Sequence, residues 1–337
     1  MRWLVTGGAG FIGQHVVQRL VRLHGAQNVH VLDARTRAAT GWHAVSKTLG
    51  EQLWLGDVCL PDEVRVAIAE AQPDVVLHLA AQSHVDRSLR EPNEAMAVNA
   101  YGTQVVATAC AAADVPMVYC STDEVYGPAL MLGRVPTAFG EQAKLYPSSP
   151  YSAGKAAGEL AVQAMGHSAG LRYAITRGCN AWGTGQLAEK LLPIACSLLN
   201  RGEPVPLHGG GQQLRQWVAA PEFASALVQV GTWLHDGDIT SGTLLNIAGP
   251  TVCSVSDLVL ALAEEAGVPA EQAVRYVTQR PGQDAAYCID GTKLSELGWQ
   301  AEADILDPKH LRAMLAHYGS DTPVHLAPFV EAIHASK

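Results

Sequence analysis

From Trp3 onward, short apolar runs alternate with stretches whose apolar residues recur every three or four positions. Trp3-Leu4-Val5-Thr6 reads as a buried strand, Phe11, Val16, Leu20 and Val21 put an apolar stripe on one helix, and Val29-His30-Val31-Leu32 reads as a second strand. That is a βαβ crossover. The rhythm continues with a short strand at Trp54-Leu55, a helix from Pro61, an apolar strand from Val75 to Leu79, a long helix around Ala95 to Ala113 and a strand over Met117 to Cys120. A further helix is predicted from about Pro150 to His167, where Ala153, Gly154, Ala156, Ala157 and Gly158 permit close packing, with a strand at Ala174-Ile175-Thr176 after it. Such alternation predicts an α/β fold: a doubly wound parallel sheet with helices on both faces.

Beyond Cys179 the regular rhythm breaks. Trp182 to Glu189, Leu207 to Arg215 and Gln279 to Tyr287 are glycine-rich or polar and read as loops that close over a ligand. We therefore expect residues 1–178 to form one lobe, with 217–235 returning to it, and 179–337 to form mainly a smaller C-terminal substrate-binding lobe. There is no internal repeat and no low-complexity tract.

Composition narrows the function classes. With 48% hydrophobic and 16% charged residues over 337 positions, the chain buries a large core and is not a disordered protein. Apolar runs such as Val75 to Leu77 fall far below the ~20 residues that cross a bilayer, and the N-terminus turns glycine-rich before a signal-peptide core forms. A soluble, cytoplasmic protein with no membrane partner is expected. The net charge of −9, with no run of Lys and Arg, argues against nucleic acid. Seven scattered cysteines without a Cys-x-x-Cys pair suit reduced thiols, and no histidine pair sits at metal-ligand spacing beside a carboxylate. No metal is expected, and His78 and His84 are read as structural.

Gly7-Gly8-Ala9-Gly10-Phe11-Ile12-Gly13 joins the first strand to the first helix, with glycines at 7, 10 and 13. Glycines there allow a tight turn and let the backbone approach a pyrophosphate at the helix N-terminus. Asp33, at the end of the second strand, would accept hydrogen bonds from the adenosine ribose and repel a 2′-phosphate, which favours NAD over NADP. Arg35 and Arg37 close behind it are the counter-argument, since they could neutralise such a phosphate. Asp57 fits an adenine contact or, equally, a helix cap before Pro61.

Ser121-Thr122-Asp123-Glu124-Val125-Tyr126-Gly127 follows a buried strand at its C-terminal end, where ligands bind in parallel sheets. Tyr151 and Lys155 are spaced i and i+4, so they share a helical face and the ammonium can lower the phenol's pKa. That pair supplies a base for alcohol oxidation.

These three segments together resemble the extended short-chain dehydrogenase/reductases, which have a Rossmann-type sheet, and within them the dTDP-glucose 4,6-dehydratase family. The likeness spans nearly the whole chain: Ala80 to Ser88 resembles that family's loop after the fourth strand, and Glu189-Lys190-Leu191-Leu192-Pro193, Leu214-Arg215-Gln216-Trp217, Asn246-Ile247 and Arg280-Pro281-Gly282 match segments that grip the nucleotide-sugar. It implies an NAD-dependent enzyme that converts an NDP-hexose to the 4-keto-6-deoxy sugar, and a homodimer formed by the helices around Ala95 to Ala113 and Pro150 to His167. By the same resemblance Gly7, Gly10, Phe11, Ile12, Gly13, Asp33, Asp57, Val58, Leu79, Ala80, Ala81, Asn99, Tyr151 and Lys155 contact the cofactor. Ser83, Asn180, Lys190, Leu191, Arg215, Asn246 and Arg280 contact the substrate. Thr122, Asp123, Glu124, Tyr151 and Lys155 carry the reaction: Tyr151 takes the O4 proton, Thr122 bonds O4, Glu124 removes the C5 proton and Asp123 protonates the leaving O6 hydroxyl.

The chain also departs from that pattern. The usual Thr-Tyr-Ala-Gly-Asn after the second strand is Thr36-Arg37-Ala38-Ala39-Thr40, and Gly-His-Asp-Arg-Arg-Tyr becomes Gly282-Gln283-Asp284-Ala285-Ala286-Tyr287. Ala219 to Phe223 replaces a Tyr-Val-Glu-Asp-His segment, and Gln82 stands where those enzymes usually have Glu. UDP-sugars therefore remain alternatives to dTDP-glucose. A nucleotide-sugar 4-epimerase or a UDP-glucuronate decarboxylase would use the same Tyr151, Lys155 and NAD, but neither needs a proton donor at O6. A non-catalytic NAD-binding regulator need not keep the four side chains together.

Overall fold

The computed structural model describes residues 1–133, 135–278 and 284–323. Its main sheet has seven parallel strands: β1 (Trp3–Thr6), β2 (Val29–Asp33), β3 (Leu53–Leu55), β4 (Val75–His78), β5 (Met117–Thr122), then Tyr173–Gly178 and Thr243–Ile247. Across the sheet the order is Thr243–Ile247, Tyr173–Gly178, β5, β4, β1, β2, β3. Every residue of β1, β4, β5 and Tyr173–Gly178 is buried, which is why these strands read as continuous apolar runs. The direction of winding reverses between β1 and β4, so a crevice opens at their carboxyl ends.

Two apolar cores fill the faces of this sheet, one centred on Trp3, Val5, Leu77 and Val118 and the other on Leu4, Val76, Met117 and Tyr119. The helix Ala220–Asp236 packs in the first of these against Phe11–His24. A third core lies in the C-terminal half, where the helices Leu191–Asn200, Val255–Ala266 and Pro308–His317 meet. The strand Thr243–Ile247 belongs by its pairing to the main sheet although it lies far along the chain.

Several local elements differ from the sequence reading. The long helix expected around Ala95 to Ala113 is broken into Pro92–Met96, a π-helical turn Ala97–Gly102 and Thr103–Ala112. There the Thr103 hydroxyl donates back to the Asn99 carbonyl at 2.7 Å. Helical periodicity is blind to one widened turn, and such turns cluster at functional sites. Leu207 and His208 end a strand, Val205–His208, and Leu214 and Arg215 begin another, Leu214–Ala219, so that stretch is only partly loop. Ala286 pairs with Leu214, whereas Gln279 to Gln283 lie outside the described residues.

The helix Pro150–Ala169 positions the site. Ser149 caps it, accepting from the Ser152 amide at 3.1 Å while Ser152 Oγ accepts from the Ser149 amide at 3.1 Å, with Pro150 preset for the first turn. This box fixes where the helix begins and so the phase of Tyr151, Lys155 and Glu159. Gly158 faces Tyr119 and Asn99: a Cβ there would stand 2.5 Å from the Tyr119 hydroxyl and 2.6 Å from the Asn99 carbonyl oxygen. Only glycine permits so close an approach.

Candidate active site

A cavity of about 310 Å³ lies at the carboxyl ends of β1, β2 and β4. Gly7, Gly10, Phe11, Ile12, Gly13, Asp33, Asp57, Val58, Leu79, Ala80 and Ala81 all line it, as do Ser83 and Lys190. Gly7 has φ +72, and a Cβ on it would stand 2.6 Å from the Ala80 amide nitrogen. Gly10 begins the helix Phe11–His24 without a side-chain cap, and Gly10, Phe11 and Ile12 line the cavity, so the helix's positive end borders it.

Asp33 is buried. Its carboxylate accepts from the Ala9 amide at 3.0 Å and the Arg35 amide at 2.8 Å, and burial raises its pKa against those two bonds. Arg35 stacks on Trp42 at 5.0 Å, and Arg37 pairs with Glu189 at 2.5 Å, so both arginines already have partners within the protein. The glycine cradle, the open helix end and the carboxylate after β2 fit an NAD-type dinucleotide. The helix Pro61–Ala71 takes Leu60 as its cap, and Asp57 instead accepts from the Cys59 amide at 2.9 Å. Capping by Asp57 is thereby corrected.

Asn99 is fully buried, and its amide exchanges two bonds with the Gln82 backbone, at 2.9 and 3.0 Å. The π-helical turn carries it inward, so it holds the cavity wall instead of lining the cavity.

Thr122, Asp123 and Glu124 stand at the end of β5. Asp123 to Tyr126 form a 3₁₀ turn that Thr122 caps, its hydroxyl accepting from the Glu124 amide at 3.3 Å and donating to Asp123 Oδ1 at 3.2 Å. The turn puts both carboxylates at one place, where a strand would have sent them to opposite faces. Tyr151 shares a hydrogen bond with Thr122, and its hydroxyl is pushed well above its ordinary pKa by burial and by the charge of Glu124. Asp123 is 3% exposed, Oδ2 has no hydrogen-bond partner, and burial with the Glu124 charge raises its pKa to about 7. Lys155 donates to the Cys120 carbonyl at 2.6 Å and lies 4.6 Å over the Tyr119 ring, with its pKa lowered by burial to about 8.

Two buried groups lie behind the site. Glu159 pairs with Arg177 at 2.6 Å, and Arg177 also donates to the Tyr126 hydroxyl at 2.9 Å and stacks on its ring. Glu159 is four residues beyond Lys155, so the helical spacing signals it; nothing in the sequence signals its partner. His78 is bonded to Thr6 at 2.6 Å and Thr103 at 3.0 Å, and burial lowers its pKa to about 3. Thr103 already donates to Asn99, so His78 Nε2 carries the proton to Thr103 and Nδ1 accepts from Thr6.

The other substrate-side residues are spread. Arg215 stacks on Tyr287 at 4.4 Å, donates to the Asp284 carbonyl at 3.2 Å and exerts its charge on Asp123. Asn180 opens the strand Asn180–Trp182 and Leu191 the helix Leu191–Asn200. Asn246 is fully buried, accepting from Tyr126 at 2.8 Å and donating to the carbonyls of Phe139 and Asp290. Arg280 lies outside the described residues. Among the described residues no cluster could hold a metal, and no helix is long and apolar enough to cross a membrane.

A glycine cradle beside a Thr/Tyr/Lys set and a carboxylate pair defines the nicotinamide-dependent enzymes of activated sugars. Residues 3–248 match the model of the NAD dependent epimerase/dehydratase family, and the chain belongs to that family. It is 38% identical over 321 residues to the dTDP-glucose 4,6-dehydratase of Streptomyces griseus, covering 94% of this chain and 93% of that one. It is 34% identical, over 88% of its length, to a trifunctional UDP-glucose 4,6-dehydratase/UDP-4-keto-6-deoxy-D-glucose 3,5-epimerase/UDP-4-keto-L-rhamnose-reductase of Arabidopsis thaliana, of which it spans only 44%. The solved dTDP-glucose 4,6-dehydratase of Streptomyces venezuelae, with NAD bound, superposes with a TM-score of 0.84 at 32% identity over 94% of this chain and 97% of that one.

Proposed function

We propose that the protein is an NAD-dependent nucleotide-sugar 4,6-dehydratase that converts an NDP-hexose, with dTDP-glucose favoured, to the NDP-4-keto-6-deoxyhexose and water. The observation that carries this reading is Asp123: a buried carboxyl raised to about 7, its Oδ2 unbonded, in one turn with Glu124 and beside Tyr151. An epimerase has no use for such a proton donor.

NAD, when bound, supplies the acceptor for the C4 hydride and the donor that returns it to C6. Tyr151 takes the O4 proton as its phenolate while Thr122 holds O4, and we assign Lys155, one turn further along the same helix, to supplying the cation that the phenolate needs against the burial that otherwise keeps the phenol protonated. The 4-ketone acidifies C5. Glu124 removes that proton and Asp123, protonated below pH 7, delivers its own to the departing O6 hydroxyl. Ser83, Asn180, Lys190, Leu191 and Arg215 are the residues we assign to the nucleotide-sugar, with Arg215 suited to a diphosphate.

Incubation with a panel of NDP-hexoses, scored by mass, tests the proposal. Loss of one water from dTDP-glucose is expected. Loss from a UDP-sugar alone keeps the mechanism and changes the substrate, and an isomeric product without water loss overturns the dehydratase.

A cytoplasmic homodimer completes the reading. All seven cysteines are free, which suits a reducing compartment, and Met96, Tyr101 and Leu160 are 41–58% exposed on helices expected to pair. Sedimentation of a 35.7 kDa species at micromolar concentration would exclude the dimer.

A further inference from the structure

The loop over residues 183–190 crosses the cofactor cavity and is tied down on both sides. On one side the Thr40 hydroxyl donates to the Gly185 carbonyl at 2.6 Å and His15 Nε2 meets the Thr184 carbonyl at 3.1 Å. On the other, Lys190 Nζ donates to the Ser83 carbonyl at 3.0 Å. Glu189 spans the gap between them. One carboxylate oxygen takes Arg37, from the loop after β2, at 2.5 Å; the other lies 3.3 Å from His84 Nε2, in the loop after β4. Arg37, His84 and Glu189 all line the cavity, and Glu189 is only 7% exposed although Arg37 is 54% exposed.

We propose that Glu189, bridging Arg37 and His84, is a clasp that retains the cofactor, a positioning group for NAD with no part in the proton transfers. The inference rests on the dehydratase reading for its purpose. A hydride taken at C4 must be returned at C6 of the same sugar, so a reduced cofactor lost between the two half-reactions would strand the ketone. Arg37 compensates the Glu189 charge through one oxygen, and the other, buried and without a hydrogen bond, faces His84 Nε2 at 3.3 Å. The half-exposed Arg37 adds a component that salt weakens.

The test is the rate at which bound NADH leaves the protein, followed by its fluorescence after mixing with excess NAD. Glu189→Gln should speed release by about tenfold or more and Arg37→Ala by several-fold. Raising NaCl to 1 M should speed release from the wild type while leaving Arg37→Ala nearly unchanged. Release of NADH from both variants at the wild-type rate would overturn the clasp. Arg37→Ala changes a half-exposed side chain and so guards against a folding failure in the other variant. Wild-type protein that neither carries nor binds NAD(H) would instead sink the cofactor reading itself, so the two failures are distinguishable.

Discussion

Lys155 donates its ammonium to the main-chain carbonyl of Cys120 at 2.6 Å, which ties the helix Pro150–Ala169 to the strand that carries Thr122. The same contact holds the charge over the Tyr119 ring. Burial lowers the Lys155 pKa from 10.5 to about 8, so the buried cation opposes folding. A base whose pKa is depressed by folding stabilises the protein above its unfolded value, and that stability is lost as pH falls through 8. Lys155→Met should therefore raise the melting temperature more at pH 6 than at pH 10.5, with a free-energy difference on the order of 3 kcal/mol, while NADH formation with substrate falls by at least about 100-fold. Calorimetry at the two pH values checks the first part, and an unchanged or lower melting temperature at pH 6 contradicts it.

Asp123 carries the opposite sign of charge and the same cost. Its pKa is raised by folding to about 7, so the stability it permits is complete below its unfolded pKa near 3.8 and lost as pH rises through 7. Asp123→Asn should stabilise the protein at pH 8 and have little effect at pH 4. Water loss in the wild type should decline as pH rises above about 7, because the donor must be protonated. A flat elimination rate between pH 6 and 8.5 would remove Asp123 from that role.

Oxidation and elimination should separate. Tyr151→Phe is expected to abolish NADH formation in a single turnover, whereas Asp123→Asn and Glu124→Gln should form NADH and then stall before water is lost. Equal loss of the first hydride transfer in all three variants would refute the division of roles.

Gly158→Ala should destabilise the protein by about 1–3 kcal/mol, because the added methyl group meets the Tyr119 hydroxyl and the Asn99 carbonyl. It should also slow oxidation, since relieving that clash moves Lys155 and Tyr151 on the same helix. Urea unfolding with the wild-type midpoint would show that the packing gives way freely.

The alternation of apolar runs and helical stripes in this chain was enough to establish the parallel sheet, the glycine turn, the carboxylate after β2 and the spacing of Tyr151 and Lys155. Each is local: a few consecutive residues determine a turn, a cap or a shared helical face. Tertiary structure decided what those groups meet. Nothing near Arg37 in the sequence foretells Glu189, 152 positions away, and nothing near Glu159 foretells Arg177. Asn99 and Asn246 read as ligand contacts because their segments match, whereas only the fold shows that both are buried and hydrogen-bonded to the scaffold. The raised pKa of Asp123 likewise comes from desolvation inside the assembled fold, a property of the surrounding packed atoms that no short stretch of sequence contains.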